Sequence, residues 1–413
     1  MTSGDRAASV LTPDLLARVR ERAPGYDAAN GFFFEDLAEL REAGYLRPRS
    51  LSAASADQRL LAAHAPATAL GLTMHLVWMG VARDLVAAGD DSVQWVLDDC
   101  AAGELFAFAI SEAGNDRVMT DSVTRAERVE PGERSDGRGG WAVTGTKIFT
   151  SLSPAWTRLG VLARHEPAGG PADGAHPAET GPAGTDPRII HGFLLRDAPP
   201  STPERFEPHP APGVTVTPDW NTLGMRATQS HTTRLEAAFI ADEHVSRILP
   251  VGPTADPFLL AISANFLTLM AAVYAGLADR ALELAVESAH RRTSLKNGGA
   301  PQAHDPDIRW RIADAALALD ALTPQLAAVV HDRDHGVDRG ARWHRDLAGL
   351  KHRSVETARH VVDQAMRIAG GGAYRTTAEL SRLQRDVLAG IYHPSDPEAV
   401  HATVAADLLG PLP

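Results

Sequence analysis

Few side chains in this sequence combine a reactive type with a suggestive position. His75 lies inside the apolar run Ala67–Ala82, and His393 stands immediately before Pro394. Imidazole is the side chain whose protonation changes most readily near neutral pH, so both are candidates for proton handling or hydrogen-bond donation. Ser151 closes the strand-like stretch WAVTGTKIFTS, two residues after Phe149, which pairs a hydroxyl with an aromatic surface. Each of these also has a plain structural reading. A histidine within an apolar helix is commonly packed, and Phe108 and Phe149 alternate with small residues as strand core does. Gly370–Gly372 has the composition of a helix C-cap. His331 and His335 are spaced i, i+4 beside Asp332 and Asp334, yet they precede Gly336 at a helix end, where solvated polar residues are common. No nucleophile elbow, zinc H-E-x-x-H, Walker loop or Rossmann glycine motif is present.

The elements that must position these residues fall into three blocks. The first hundred residues carry helical periodicity, with Ser92 as a plausible N-cap for the helix that ends at Gly103. Strand-like segments follow: WAVTGTKIFTS, TRLGVLARH, HGFLLRD, GVTVTPDW and TTRLEAAFIAD, separated by turn-rich pieces. The stretch near 166–187 is almost entirely Gly, Pro, Ala and acidic residues, and reads as a mobile hairpin insertion. After Asp256-Pro257, long helices are expected over approximately 257–292, 305–331, 339–369 and 378–392. The fold class is therefore α+β. It comprises an N-terminal helical domain (1–107), a central β-barrel or sandwich (108–250) and a C-terminal four-helix bundle (251–413).

With 413 residues, 44% hydrophobic and 22% charged, the composition is that of an ordinary globular protein. A net charge of −12 argues against nucleic-acid binding. A single cysteine, Cys100, excludes an internal disulfide and fits a cytoplasmic setting. Phe258–Ala278 is uncharged over 21 residues, long enough to span a bilayer, but Ser263, Asn265 and Thr268 interrupt it. It continues into a charged helix, so burial in a core is the preferred reading and no membrane partner is expected.

Five separated segments, in order, resemble the acyl-CoA dehydrogenase superfamily: GELFAFAISEAGND, GWAVTGTKIFTS, NTLGMRATQSHTTRLEAAFIADEHV, AHRRTS and RIAGGGAYRTTAELSRLQRDV. The opening FFFEDLAELREAGYL is similar to that family's first helices. The resemblance implies a flavin cofactor, FAD or a reduced FMN supplied by a reductase. It places Phe108, Ile110 and Ser111 at the flavin border, Phe149 against the ring and Ser151 near N5. It also implies that Arg291 reaches the pyrophosphate in an adjoining subunit, and that Gly370 and Gly371 let the backbone approach the ADP portion. A homodimer or homotetramer is the corresponding expectation.

The sequence departs from the family where acyl-thioester oxidation is carried out. A dehydrogenase of this type removes an α-proton with a glutamate. After Arg385-Asp386 the matching register holds His393-Pro394, and the alternative base position on the long helix is Asn265. Asn115 replaces the serine that meets the thioester arm, leaving Asn115 and Asn265 as candidate substrate contacts. These changes are similar to the family's monooxygenase branch, in which reduced flavin and O2 form a C4a-hydroperoxide. Such a site needs a dry pocket and donors, for which Ser151, His75 and His393 are of the right type. Two alternatives remain. One is an acyl-thioester dehydrogenase with a relocated base such as Glu398, and the other is an inactive flavin-fold binding protein.

Overall fold

The computed structural model describes residues 9–117, 119–167 and 186–410. Five helices come first: α1 (Pro13–Ala29), α2 (Phe34–Glu42), α3 (Leu51–Ala62), α4 (Pro66–Ala87) and α5 (Gln94–Ala101). Eight strands follow: β1 (Phe106–Ala109), β2 (Arg125–Val129), β3 (Gly140–Thr150), β4 (Arg158–His165), β5 (Arg188–Leu195), β6 (Val214–Thr217), β7 (His231–Ala241) and β8 (Val245–Pro250). Helices then resume as α6 (Pro257–Arg291), α7 (Pro306–Asp334), α8 (Arg342–Ala369), α9 (Glu379–Val387) and α10 (Pro397–Leu409). The α+β order expected from the sequence is observed.

Local chemistry starts several of these helices. Thr12, Asp305 and Asp396 each accept a backbone N–H at the helix start and are each followed by proline, which needs no partner there. The last of these corrects the helix count. The expected segment 378–392 is shorter, α9 giving way to a 3-10 turn at Leu388–Ile391, and the Asp396-Pro397 start launches a further helix, α10.

The sheet runs in the order β6-β7-β3-β2-β4-β5-β8, with β1 paired in parallel to β4. β4 and β5 are antiparallel from Arg158↔Leu195 to His165↔Arg188, as a hairpin between them requires. The proposed insertion itself lies mostly outside the described residues. β2 and β8 had no clear sequence signal, since RAERV and VSRILP mix charged residues into short strands.

The chain forms two compact units. One comprises Met1–Gly80, Asn221–Thr228 and Ile262–Pro413, and the other Val81–Trp220 and Gln229–Ala261. Helices from both ends of the sequence thus share one unit, where a reading in chain order separated them. Within the helical unit, α6 packs by close backbone approach. A Cβ on Gly276 would lie 2.0 Å from the Arg59 carbonyl oxygen, and one on Gly80 would lie 1.9 Å from Asn265 Oδ1. Among the described residues three helices (α4, α6 and α7) are long and apolar enough to cross a membrane. In α4 and α6, 78% of the apolar window is buried within the protein, against 28% in α7.

Candidate functional site

In the sheet unit the candidate residues Phe149 and Ser151 lie at the end of β3. The pairing of β3 with β7 shifts register between Lys147 and Thr150, forming a bulge. Phe149 sits in that bulge with φ of 57°, a left-handed conformation that is costly for a bulky residue. The bulge turns the ring outward: Phe149 is 55% exposed and meets Trp220 edge-on, with centroids 6.1 Å apart. The core role suggested by strand alternation therefore does not hold for Phe149, whereas Phe108 is buried on β1.

Hydroxyl groups lie beside this aromatic corner. Ser151 Oγ and Ser230 Oγ are 2.8 Å apart, both on segments next to the β3–β7 pair. The Ser111 carbonyl accepts from the Ile148 backbone N–H at 2.9 Å, which ties the end of the β1 segment to β3, and Ile110 and Ser111 are half-buried. Trp220 and His231 carried no notice in the sequence, yet they shape the corner. The Trp220 backbone N–H donates to His231 Nδ1 at 3.1 Å, and burial holds the His231 ring below its usual pKa, mostly neutral. An aromatic next to Asp219 in PDW was the available signal.

The loop after β1 is held by Glu112, which is 5% exposed. Its carboxylate accepts from Lys147 Nζ (2.7 Å), Thr124 Oγ1 (2.6 Å), Ser122 Oγ (2.8 Å) and the Val123 N–H (2.9 Å). Burial alone would raise this carboxyl, but the Lys147 ammonium and these donors outweigh it and hold it near 2. Asn115 belongs to the same structure: its amide donates to Glu112 Oε2 at 2.8 Å and to the Asp121 carbonyl at 3.1 Å. The side chain expected to contact substrate is thus engaged in shaping its own loop.

In the helical unit, the turn after α9 carries His393. Its Nε2 lies 2.9 Å from the hydroxyl of Tyr274 on α6. Burial, reinforced by the neighbouring Lys351 charge, pulls the His393 ring down to about 3, so it is neutral at physiological pH. Lys351 on α8 donates to the carbonyls of Gly390, His393 and Ser395 at 2.9, 3.0 and 2.7 Å. His75 is wholly buried on α4, with Nε2 donating to the Leu46 carbonyl at 2.8 Å, and burial lowers it to about 4. Asn265 is 1% exposed and packs against the Gly80 backbone. Both occupy packing positions, because the close α4–α6 approach leaves their polar ends facing protein.

At the far end of α6, Arg291 is exposed and Arg292 instead bonds the carbonyls of Ile368 and Ala369. Gly370 has φ of 65° and lies close to that guanidinium. Gly371 is exposed, and a Cβ there would meet nothing within 4 Å. Among the described residues no group of three or more His, Cys, Asp or Glu side chains is placed to hold a metal.

The chain has the acyl-CoA dehydrogenase fold, as its likeness to solved structures shows. The chain aligns over 98% of its length with butyryl-CoA dehydrogenase from Megasphaera elsdenii, covering 99% of that chain at a TM-score of 0.76 and 17% identity. FMN-bound TdsC from Paenibacillus sp. A11-2 aligns over 97% of this chain and 96% of its own, at a TM-score of 0.74 and 18% identity. Residues 268–395 match the family model described as acyl-CoA dehydrogenase, C-terminal domain. By sequence the chain is 27% identical to a putative acyl-CoA dehydrogenase, YdbM, of Bacillus subtilis, across 92% of this chain and 91% of that protein. It is also 29% identical to L-evernosamine nitrososynthase of a Micromonospora species, across 62% of this chain and 54% of that one.

Proposed function

We propose that this protein is a flavin-dependent monooxygenase built on the acyl-CoA dehydrogenase fold. The observation that carries this reading is the group at the register of the dehydrogenase glutamate. It is His393, a neutral imidazole near pKa 3 bonded to a buried tyrosine. Such a ring accepts a proton poorly at neutral pH, and an efficient general base should sit near the operating pH. The other base register holds Asn265, an amide buried against Gly80. Glu398, the relocated-base candidate, lies exposed in the first turn of α10, where water competes for it. Similarity to L-evernosamine nitrososynthase, whose name denotes nitrogen oxidation, points the same way.

The residues fit a flavin. A planar ring with a polar edge needs an aromatic or apolar platform and nearby donors. Phe149 with Trp220 supplies the first, and Ser151 with Ser230 the second. A reduced flavin bound there would supply electrons to activate O2 and deliver one oxygen atom to the substrate. On this reading Phe149 orients the ring and Ser151 donates a hydrogen bond at its edge. Exposed Arg291 and Gly371 are available to the cofactor's phosphate portion from a second copy of the chain, making a homo-oligomer part of the proposal. A separate flavin reductase is its other expected partner, in a cytoplasmic setting.

The test uses the purified protein with reduced FMN or FAD, 18O2 and a panel of amines, sulfides and aromatics. Incorporation of one 18O atom into product is the expected result. Rapid anaerobic bleaching of bound oxidised flavin by acyl-CoAs would overturn it in favour of a dehydrogenase. Failure to bind flavin in titration would leave only a scaffolding role.

A further inference from the structure

His393 is held from two sides by residues that the sequence did not single out. Tyr274 is fully buried in the middle of α6, and its hydroxyl makes one hydrogen bond among the described residues, to His393 Nε2 at 2.9 Å. A phenol carries one proton, and leaving it without an acceptor in a buried setting is costly. If His393 donated from Nε2, the Tyr274 proton would have nowhere to go. Tyr274 must therefore donate and Nε2 accept, which puts the single proton of the neutral ring on Nδ1. Burial and the charge of Asp386 both keep the phenol protonated.

The backbone is fixed as firmly as the ring. Lys351 is 2% exposed, and an ammonium has three N–H groups; here they meet three carbonyls, those of Gly390, His393 and Ser395. Its charge lies beside the ring and opposes a second proton on it. Burial pulls the Lys351 ammonium down to about 8, and Asp396 and Glu356 act against that pull, so it carries its charge at neutral pH. Gly390 completes the arrangement. A Cβ there would stand 2.7 Å from Val355 and 2.9 Å from Tyr274 Cζ, so only glycine lets the turn pass over the tyrosine ring.

We infer that Tyr274 and Lys351 are positioning residues that lock His393 as a neutral ring with its proton on Nδ1, a fixed hydrogen-bond donor in place of a base. This rests on the monooxygenase reading for its purpose, but the tautomer itself does not. The experiment is 15N-histidine NMR of the whole protein from pH 5.5 to 9, with His393 assigned by its loss in His393→Gln. We expect the two-bond pattern of an Nδ1–H ring that does not titrate over this range. In Tyr274→Phe the pattern should shift toward the other tautomer. That variant should also lower kcat about tenfold, with flavin Kd and substrate KM nearly unchanged. Lys351→Met should broaden the His393 signals as the turn loosens. A wild-type ring protonated on Nε2, or charged at pH 6, would overturn the proposal, as would a Tyr274→Phe enzyme with unchanged tautomer and unchanged kcat. An Nδ1–H ring in a protein that fails to incorporate 18O would refute the monooxygenase reading and leave the tautomer standing.

Discussion

Phe149 is held in a conformation its residue type seldom adopts. Its left-handed backbone and 55% exposure are both unfavourable for a phenylalanine in an isolated chain, and the β3 bulge is what enforces them. If the ring is a flavin platform, Phe149→Ala should weaken flavin binding by up to about tenfold, the equivalent of the 0.5–1.5 kcal/mol typical of aromatic stacking. Because the ring is exposed, the same change should alter unfolding free energy by less than about 0.5 kcal/mol. Fluorescence titration and urea denaturation check the two halves. Unchanged flavin affinity would remove Phe149 from the site. The presence of an aromatic at this position was legible in the sequence. Its outward orientation was not, because alternation along a strand cannot reveal a one-residue bulge.

Among elements, the β3 strand and the loop that follows β1 depend on one buried ion pair. Lys147 and Glu112 have side chains 0% and 1% exposed and are joined at 2.7 Å. Burial pushes the Lys147 ammonium down to about 8 against the pull of Glu112, which shows how much solvation both groups have given up. Breaking such a pair from one side strands the other charge, at a cost of about 3–5 kcal/mol. Lys147→Met should therefore lower the urea midpoint strongly, and adding Glu112→Gln should recover part of the loss. A single variant as stable as the parent would show that the pair does not anchor the loop. Both Glu112 oxygens accept hydrogen bonds, and a Gln keeps only one acceptor oxygen, so its amide nitrogen would face donors such as the Val123 N–H and recovery by the double variant is expected to be incomplete.

For the whole molecule, the clearest consequence is acid sensitivity. Burial lowers His75 to about 4, and His191 and His393 to about 3, each below the ordinary 6.5. Their folded pKa values are depressed, so the stability they confer is complete above pH 6.5 and is lost as pH falls toward 4 and 3. Burial raises Asp36 and Asp386 to about 6 despite Arg22 and Arg382, and these act in the opposite sense, favouring the fold as pH falls from 6 toward 4. Glu112, held near 2, and the lowered His64, His231, His244 and His352 act in the same sense as the three histidines, so stability falls with acid on balance. His191 isolates the effect, since both its ring nitrogens are buried without a hydrogen bond and its ring packs edge-on to Phe258, 5.2 Å away. His191→Phe should reduce the slope of unfolding free energy between pH 6 and 4 by close to one proton, about 1.4 kcal/mol per pH unit. An unaltered slope would mean that this histidine is hydrated or paired in solution.

By itself the sequence determined the order of helices, strands and helices, most strand positions and the segments that resemble acyl-CoA dehydrogenases, because periodicity and local turn chemistry act over a few residues. Through the resemblance it also singled out His393 and Asn265 as the registers where a dehydrogenase base is expected, since that reading depends only on residue identity. Only the tertiary structure decided what those residues can do. Tyr274 and His393 are 119 residues apart, and Lys351 reaches the same turn from a third helix. Which nitrogen holds a proton, which histidine is packed away and which phenylalanine faces outward are set by partners distant in sequence. Burial and hydrogen bonding act through space, and periodicity records only which face of an element is apolar.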